Sequence, residues 1–560
     1  MYRSKKLICS VMLLLFFCNY SCKSKFTLGN DGVTEDPSEM NWQVKKNIEN
    51  IIASAGKNNY KLKDSSHLKY FAVLKNYYKN ASYEPVWCSK EKWLEPAELL
   101  INYIDNAALQ GLYKEDYQFK KLQKIKSILD TDSLKRMEAG LWANADVLMS
   151  EAFAGLLKDL KQGRLLADSL SWKNDTAKHR TFFAANFDRI KNGEHLHNIL
   201  EAVQPKHIGY INLKKVIKNF TDSMDTHLYT YLVYPYKDSV LFLKSFKKRM
   251  NEAGIVIAAN ADSLQLTTIV KKYQKIKGLV ADGKIGNSVV KQLNLTDRQK
   301  FNVIAITLDK YKILPETMPQ KYIWVNLPAY NLKVWSADTL VMESKIICGK
   351  TATPTPILTS AVSDIVLYPT WTVPTSIISK EMLPGLKRNT SYLARRGLYL
   401  LNGKGEKINA ANINWAKYTK GIPYRVQQGS GDGNALGVIK FNFENPFSVY
   451  LHDTNQRYLF KNGVRSLSHG CVRVQEWQQL ADFIVRNDSM NLKNYDTMHY
   501  NTDSIRNWIA QKEKHVITVK NKIPLFIRYF SCENANGTIR FYDDIYGEDK
   551  DLKQKFFAEK

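Results

Sequence analysis

Seven consecutive residues, Ser468-His469-Gly470-Cys471-Val472-Arg473-Val474, put a thiol, an imidazole, a glycine and a guanidinium together. A second imidazole, His452, lies 19 residues before Cys471 within Tyr450-Leu451-His452-Asp453-Thr454. A thiolate is the reactive form of cysteine, and it forms below the free thiol's pKa of about 8.5 only beside a base or a positive field. Cys471 with either histidine as base therefore fits nucleophilic catalysis, and Arg473 fits anion anchoring or loop support. Gly470 lets the chain turn sharply, so that the N–H groups of Gly470 and Cys471 could meet a developing oxyanion. A competing reading treats Cys471 as a small buried hydrophobe. A zinc site is the other, but two histidines and one cysteine leave its ligand set short unless Asp453 joins.

The flanking residues supply the elements that must hold these groups. Phe447 to Leu451 alternates and is rich in strand formers, which places His452 at or just past a strand end. Val472-Arg473-Val474 reads as a short strand, and apolar residues at 477, 480, 481, 484 and 485 have helical spacing. The cysteine is thus expected on a loop braced by a strand and a helix, with His452 brought across from a neighbouring strand. In an extended chain His469, two residues from Cys471, would point to the same side as the thiol.

The chain has 560 residues, enough for about three or four domains, and its 44% hydrophobic and 24% charged residues are those of a folded protein. Eighty-one Lys and Arg against 54 Asp and Glu give a net charge of +27, which favours anionic surroundings. No zinc-finger spacing or aromatic RNA-binding strand accompanies that charge, so a nucleic-acid partner is not expected. At the start, the basic stretch Met1–Lys6 precedes an apolar run from Leu7 to Cys18, too short to span a bilayer but suited to an export signal. Asn19-Tyr20-Ser21-Cys22 resembles a bacterial lipoprotein signal in which Cys22 becomes lipidated, although Asn19 stands where an aliphatic residue is usual. The seven cysteines, at 9, 18, 22, 88, 348, 471 and 532, are too irregular for a disulfide framework, and Cys88, Cys348 and Cys532 are expected to be mostly buried free thiols.

The pattern then divides the chain into an α+β multidomain protein. Residues 1–22 form the signal and 23–65 a polar tether ending in a short amphipathic helix. Residues 66–235 are helical by periodicity, with Pro85 breaking the run at Tyr83-Glu84-Pro85-Val86-Trp87. Residues 236–296 form a small three-helix module around the tight loop Gly278-Leu279-Val280-Ala281-Asp282-Gly283-Lys284-Ile285-Gly286. From Lys321 the period changes to two, predicting a mainly antiparallel β domain over 297–500, sandwich or barrel-like, completed by strands in 501–560. Residues 376–425 interrupt the strand series and read as an inserted lid. The glycine-rich stretch 427–437 lacks the Gly-Lys-Ser/Thr of a phosphate loop, and the acidic end around Asp543, Asp544, Glu548 and Asp549 is expected to be acidic surface rather than a metal site.

The string His-(16 residues)-His-Gly-Cys-Val-Arg resembles the signature of L,D-transpeptidases, the YkuD-type enzymes of bacterial cell walls. Tyr83-x-Pro-x-Trp87, Gln162-Gly163-Arg164, Asn434-x-Leu436-Gly437 and the tail Phe541-x-Asp543-Asp544-Ile545-Tyr546 resemble the large, multidomain YcbB-like branch, while 236–296 is similar to peptidoglycan-binding three-helix domains. The resemblance implies acyl transfer without a cofactor or metal. Cys471 would attack a stem peptide of peptidoglycan, release D-alanine, form a thioester and pass the acyl group to a neighbouring amine. It implies His452 as base with the Asp453 carbonyl orienting the ring, His469 and Gly470 in the catalytic set, and Arg473, Tyr450, Asp453, Asn434 and Ser468 at the substrate. Hydrolysis by the same thiol, an L,D-carboxypeptidase, stays open, as does a wall-binding lipoprotein without catalysis. Peptidoglycan and, through Cys22, a membrane are the implied partners, with an exported, periplasmic location.

Overall fold

The computed structural model describes residues 38–165, 176–258, 260–277, 279, 281–491 and 500–557. The expected signal and Cys22 lie outside them. The chain divides into two compact units, the first made of residues up to 105 with 114–157 and 175–201, the second of 106–113, 158–174 and 202–560.

The first unit is helical. Its Met40–Lys57 helix corrects the expected extent of the tether: Met40, Val44, Ile48 and Ile52, successively four residues apart, are all buried, so packing begins well before residue 66. The Ala139–Lys161 helix is buried on all sides along most of its length. It carries Asp146, whose carboxylate accepts from the Tyr78 hydroxyl (2.6 Å) and the Val86 and Trp87 amides (2.9 and 2.7 Å). These bonds pin the segment after Pro85, which explains the aromatic motif there as scaffold rather than site.

In the second unit, helices Ser239–Glu252, Ser263–Ile276 and Asn287–Asn294 close around Phe246, Met250, Val270, Tyr273, Val289 and Leu293. The Gln274 side chain holds the glycine loop by bonding Asp282, the Gly283 amide and the Lys284 carbonyl.

The β domain is a closed sheet. The hydrogen-bonded order runs Ile439–Phe443, Leu451–His452, Val472–Val474, Thr339–Gly349, Asn331–Ser336, Lys321–Asn326, Pro524–Arg528 and Leu358–Leu367. Leu358–Leu367 pairs in turn with Ile439–Phe443, so the path returns to its start as a mainly antiparallel barrel. Alternate residues (Ile323, Val325, Leu332, Val334, Ile365, Leu367, Phe441, Leu451, Val472 and Val474) fill its core together with Leu480, Ile484 and Val485 of the helix Trp477–Asn491. On another face, helix Ile208–Asp222 packs with Asp297–Lys312 against Tyr322, Trp324 and Phe526. The expected helical domain thus gives its last helix to the barrel's unit.

Residues 371–428 build a cap with its own core, including Ile378, Met382, Leu386, Leu400, Trp415 and Val426, and its own sheet. Trp371–Thr372 pairs with Gln427 and Gln428 where the cap leaves and rejoins the barrel. The acidic end corrects the expectation of free surface. Asp549 is buried and, with Glu548, holds the buried Lys310 ammonium (2.7 and 2.8 Å), while Asp544 accepts from Tyr529 (2.6 Å). An unpaired buried ammonium would be costly, and these carboxylates remove that cost.

Candidate active site

Strand register decides which side chains meet. The parallel pair Leu451↔Val472 and His452↔Arg473 points Leu451 and Val472 into the core. The period of two then turns Tyr450, His452, Cys471 and Arg473 to the opposite face. On the other side Lys440 stands directly across from His452, with Phe441 inward across from Leu451. Five polar groups therefore share one patch of the barrel wall.

Of the four described cysteines all are free, and Cys471 alone is not fully buried. Burial lifts the thiols of Cys348 to about 11 and Cys532 to about 12, which makes both inert at neutral pH. Burial also raises Cys471, but its sulfur faces the backbone N–H and hydroxyl of Tyr450 and the cations of Lys440 and Arg473, all of which favour the thiolate.

Tyr450 is the link between sulfur and cap. Its hydroxyl lies near both Sγ and the Trp371 indole, its ring lies 5.5 Å from that of His452, and the Lys440 ammonium sits 4.1 Å above its centroid. His452 is 4% exposed. Desolvation, then the charge of Arg473, depresses its pKa to about 3, opposed by the carbonyls of Asp453 and Leu436. Its Nδ1 is buried without a well-formed hydrogen bond among the described residues. The ring is therefore neutral at neutral pH with one lone pair unengaged, and a pKa this far below neutrality makes it a weak base in this resting state.

The thiol sits on a clamped loop. Ser468 Oγ donates to the Cys471 carbonyl (2.6 Å) and accepts from the Gly470 amide (3.1 Å). Thr355 Oγ1 donates to the Gly470 carbonyl (2.7 Å) and accepts from the Gly349 amide (2.9 Å). Gly470 adopts φ +120°, a conformation open to glycine. That angle breaks the extended geometry that would have set His469 beside the thiol. His469 is exposed, and its Nε2 is bonded at 2.6 Å to Glu381 of the cap.

Several expected roles change. The Gly470 amide is taken by Ser468, so it is not a free oxyanion donor; the Cys471 amide has no partner among the described residues and remains available. Ser468 is buried and braces the loop instead of facing substrate. Asn434, 1% exposed, spends its amide on the Pro369 and Gly429 carbonyls and the Leu436 N–H. Asp453 is fully buried and bonded to Arg457 (2.6 Å) and the Val438 amide (3.1 Å). Neither side chain is free for a ligand. Arg473 stays by the sulfur, tied to Gln456 through Nη1 (3.1 Å), with its Nε buried and unpaired among the described residues.

Lys440, Thr355 and Glu381 were not singled out by sequence reasoning. Lys440 was legible: Ile439-Lys440-Phe441-Asn442-Phe443 alternates, and a lysine on the polar side faces whatever the next strand presents. Replacing Lys440 by methionine is expected to move the pH midpoint of Cys471 alkylation by iodoacetamide upward, because a cation favouring the thiolate is lost.

A putative L,D-transpeptidase of Haemophilus influenzae is 30% identical over 262 residues, 47% of this chain and 50% of the relative, so the match spans about half of that protein's length. Among solved structures, the catalytic domain of the E. faecium L,D-transpeptidase acylated by ertapenem is 12% identical, covering 38% of this chain and 99% of that one with a TM-score of 0.18. An L,D-transpeptidase from Stackebrandtia nassauensis is also 12% identical, covering 56% and 98%, with a TM-score of 0.16. A family model for the scaffold domain matches residues 72–217, and one for the YkuD L,D-transpeptidase catalytic domain matches 320–492, the stretch that contains the thiol, both histidines and the cap. The barrel with Cys471 on its wall is a YkuD-family L,D-transpeptidase catalytic domain, carried in a multidomain chain behind a scaffold domain.

Proposed function

We propose that the protein cross-links peptidoglycan by L,D-transpeptidation through a thioester on Cys471. The observation that carries this is the accessible thiol on one sheet face with a neutral buried imidazole and two cations. His452 takes the thiol proton as sulfur attacks the stem-peptide carbonyl carbon between an L-centre and a terminal D-alanine. The Cys471 amide supports the oxyanion, D-alanine leaves with the proton, and an amine of a second stem resolves the thioester. Tyr450 on the barrel wall, with Trp371 at the base of the cap beside its hydroxyl, would shield that thioester from water.

The cap, whose Glu381 bonds His469 on the thiol loop, would cover the acyl group while an amine is awaited, which favours transfer over hydrolysis. The three-helix module would hold the wall polymer, and the chain's +27 charge suits a phosphate- and carboxylate-bearing wall. Export and an anchor at Cys22 belong to this reading; no helix among the described residues is long and apolar enough to cross a membrane. Incubation with disaccharide tetrapeptides, followed by mass spectrometry, is expected to give stem-linked dimers with release of D-alanine. Release of D-alanine without dimers would make the protein a carboxypeptidase, and neither product from folded protein would leave the binding reading.

A further inference from the structure

The cap carries more charge than its size accounts for. Residues 371–428 hold ten Lys and Arg, all exposed, against two carboxylates, Glu381 and Glu406. Both carboxylates are engaged elsewhere, Glu381 by His469 and Lys350 of the barrel domain and Glu406 by the Asn402 amide (2.8 Å). Among the described residues no carboxylate pairs with any of the ten cations.

Strand register gathers two of them on one face. Arg425 and Lys407 both stand opposite Leu401, one on each side, in a single row across three antiparallel strands. Opposed residues of antiparallel strands share a face, and alternate residues along a strand take opposite faces. Leu398, Leu400 and Val426 turn into the cap's core, so Tyr399, Leu401, Arg425 and Gln427 turn away from it, with Lys407 and Thr372 beside them. The contacts agree. The Tyr399 hydroxyl donates to Gln427 Oε1 (2.9 Å), the Gln427 amide donates to Thr372 Oγ1 (3.2 Å), and the Lys407 ammonium lies 4.5 Å from the Tyr399 ring centre. This outer face begins beside the thiol: Thr372 follows Trp371, whose indole lies near the Tyr450 hydroxyl and, through it, Sγ. From Gln428, opposite Trp371, to Arg425 is three residues, about 10 Å of strand. No large apolar side chain of the cap is exposed, which suits a hydrophilic anion and not a lipid surface.

We propose that the outer face of the cap sheet is a subsite for the carboxylates of a peptidoglycan stem peptide, held by Arg425 and Lys407. The proposal takes its ligand from the transpeptidase reading above. The Arg425 guanidinium offers paired N–H donors to a carboxylate, and Lys407 adds a second cation across the row. A stem with its reacting carbonyl at Sγ would pass Trp371 and Thr372 and meet these cations within about 10 Å, roughly three residues of extended peptide. The cap thereby selects acidic stems as well as covering the thioester.

The test is binding, in the full chain with Cys471→Ala so that the stem does not react. Calorimetry gives Kd for a disaccharide tetrapeptide and for the same compound with its side-chain carboxyls amidated. Adding Arg425→Gln with Lys407→Gln is expected to weaken the acidic stem at least about fivefold and the amidated stem less than about twofold. Lys417→Gln with Lys420→Gln removes the same charge from cap positions off the sheet, and should change Kd for the acidic stem less than about twofold. An equal loss from both pairs of substitutions would show general charge attraction and overturn the proposal. So would an equal loss for acidic and amidated stems, or no loss at all. If the Arg425 and Lys407 substitutions abolished retention on anionic phospholipid vesicles and left stem binding intact, the face would belong to a membrane and the proposal would fall. Neither D-alanine release nor dimers from the unaltered protein, with stem binding still lost in the Arg425 and Lys407 variant, would bring down the transpeptidase reading and leave the subsite standing.

Discussion

Cys471→Ala is expected to abolish both D-alanine release and dimer formation, a loss on the order of 10⁴-fold or more. The fold should survive, because the side chain is small, lies at the edge of the core and makes no bond that holds the loop. The brace there consists of the Ser468 hydroxyl on the Cys471 carbonyl and Thr355 on the Gly470 carbonyl, neither of which needs the sulfur. Circular dichroism and the unfolding midpoint check the fold, and product analysis checks the loss. Cys348→Ala and Cys532→Ala should show the contrast: full chemistry per folded molecule with lower stability, since both are core thiols.

The second large effect belongs to His452 and has a signed pH consequence. His452→Gln is expected to slow acylation by about 10²- to 10⁴-fold, the usual contribution of a positioned general base. The folded state holds this imidazole neutral down to about pH 3, against about 6.5 in an unfolded chain. Between those values the unfolded chain binds a proton that the native state refuses, so stability is full above pH 6.5 and is lost as pH falls toward 3. The glutamine variant lacks that term. Its stability should decline less steeply between pH 6.5 and 3, by a few kcal/mol over the window. Denaturant unfolding at a series of pH values measures this; the buried His207, held at about 4, contributes equally to both proteins and cancels.

What was readable in the sequence follows from how local the signals are. The α+β division, the change of period near 321 and the inserted cap lie in short stretches whose pattern is their own evidence, whereas the strand expected over 447–451 forms only at Leu451–His452, after a turn at 446–447 and Ser448 at φ +55°. Long-range pairing is less visible. Asn434 and Asp453 sit in motif-like strings, yet their partners are the Gly429 and Pro369 carbonyls and the Arg457 guanidinium, contacts set by how the loop closes. The two-residue spacing of His469 and Cys471 suggested one shared side, and the φ of +120° at Gly470 cancelled that inference. Glu381 carried no sequence signal, because its meaning depends on an insertion folding back over a loop 88 residues away. The Met40–Lys57 helix was recognised as amphipathic but assigned to a tether, since periodicity shows an apolar face without showing what covers it.

The central claim, that the Cys471 sulfur carries the acyl group, is tested most directly by quenching the protein in acid soon after mixing with a disaccharide tetrapeptide. Intact-protein and peptide mass spectrometry then locate any adduct. The account predicts a single adduct with the mass of the donor less one alanine, bound as a hydroxylamine-sensitive thioester on the peptide containing Cys471. An adduct on another residue, or none from folded protein that consumes the donor, would contradict it.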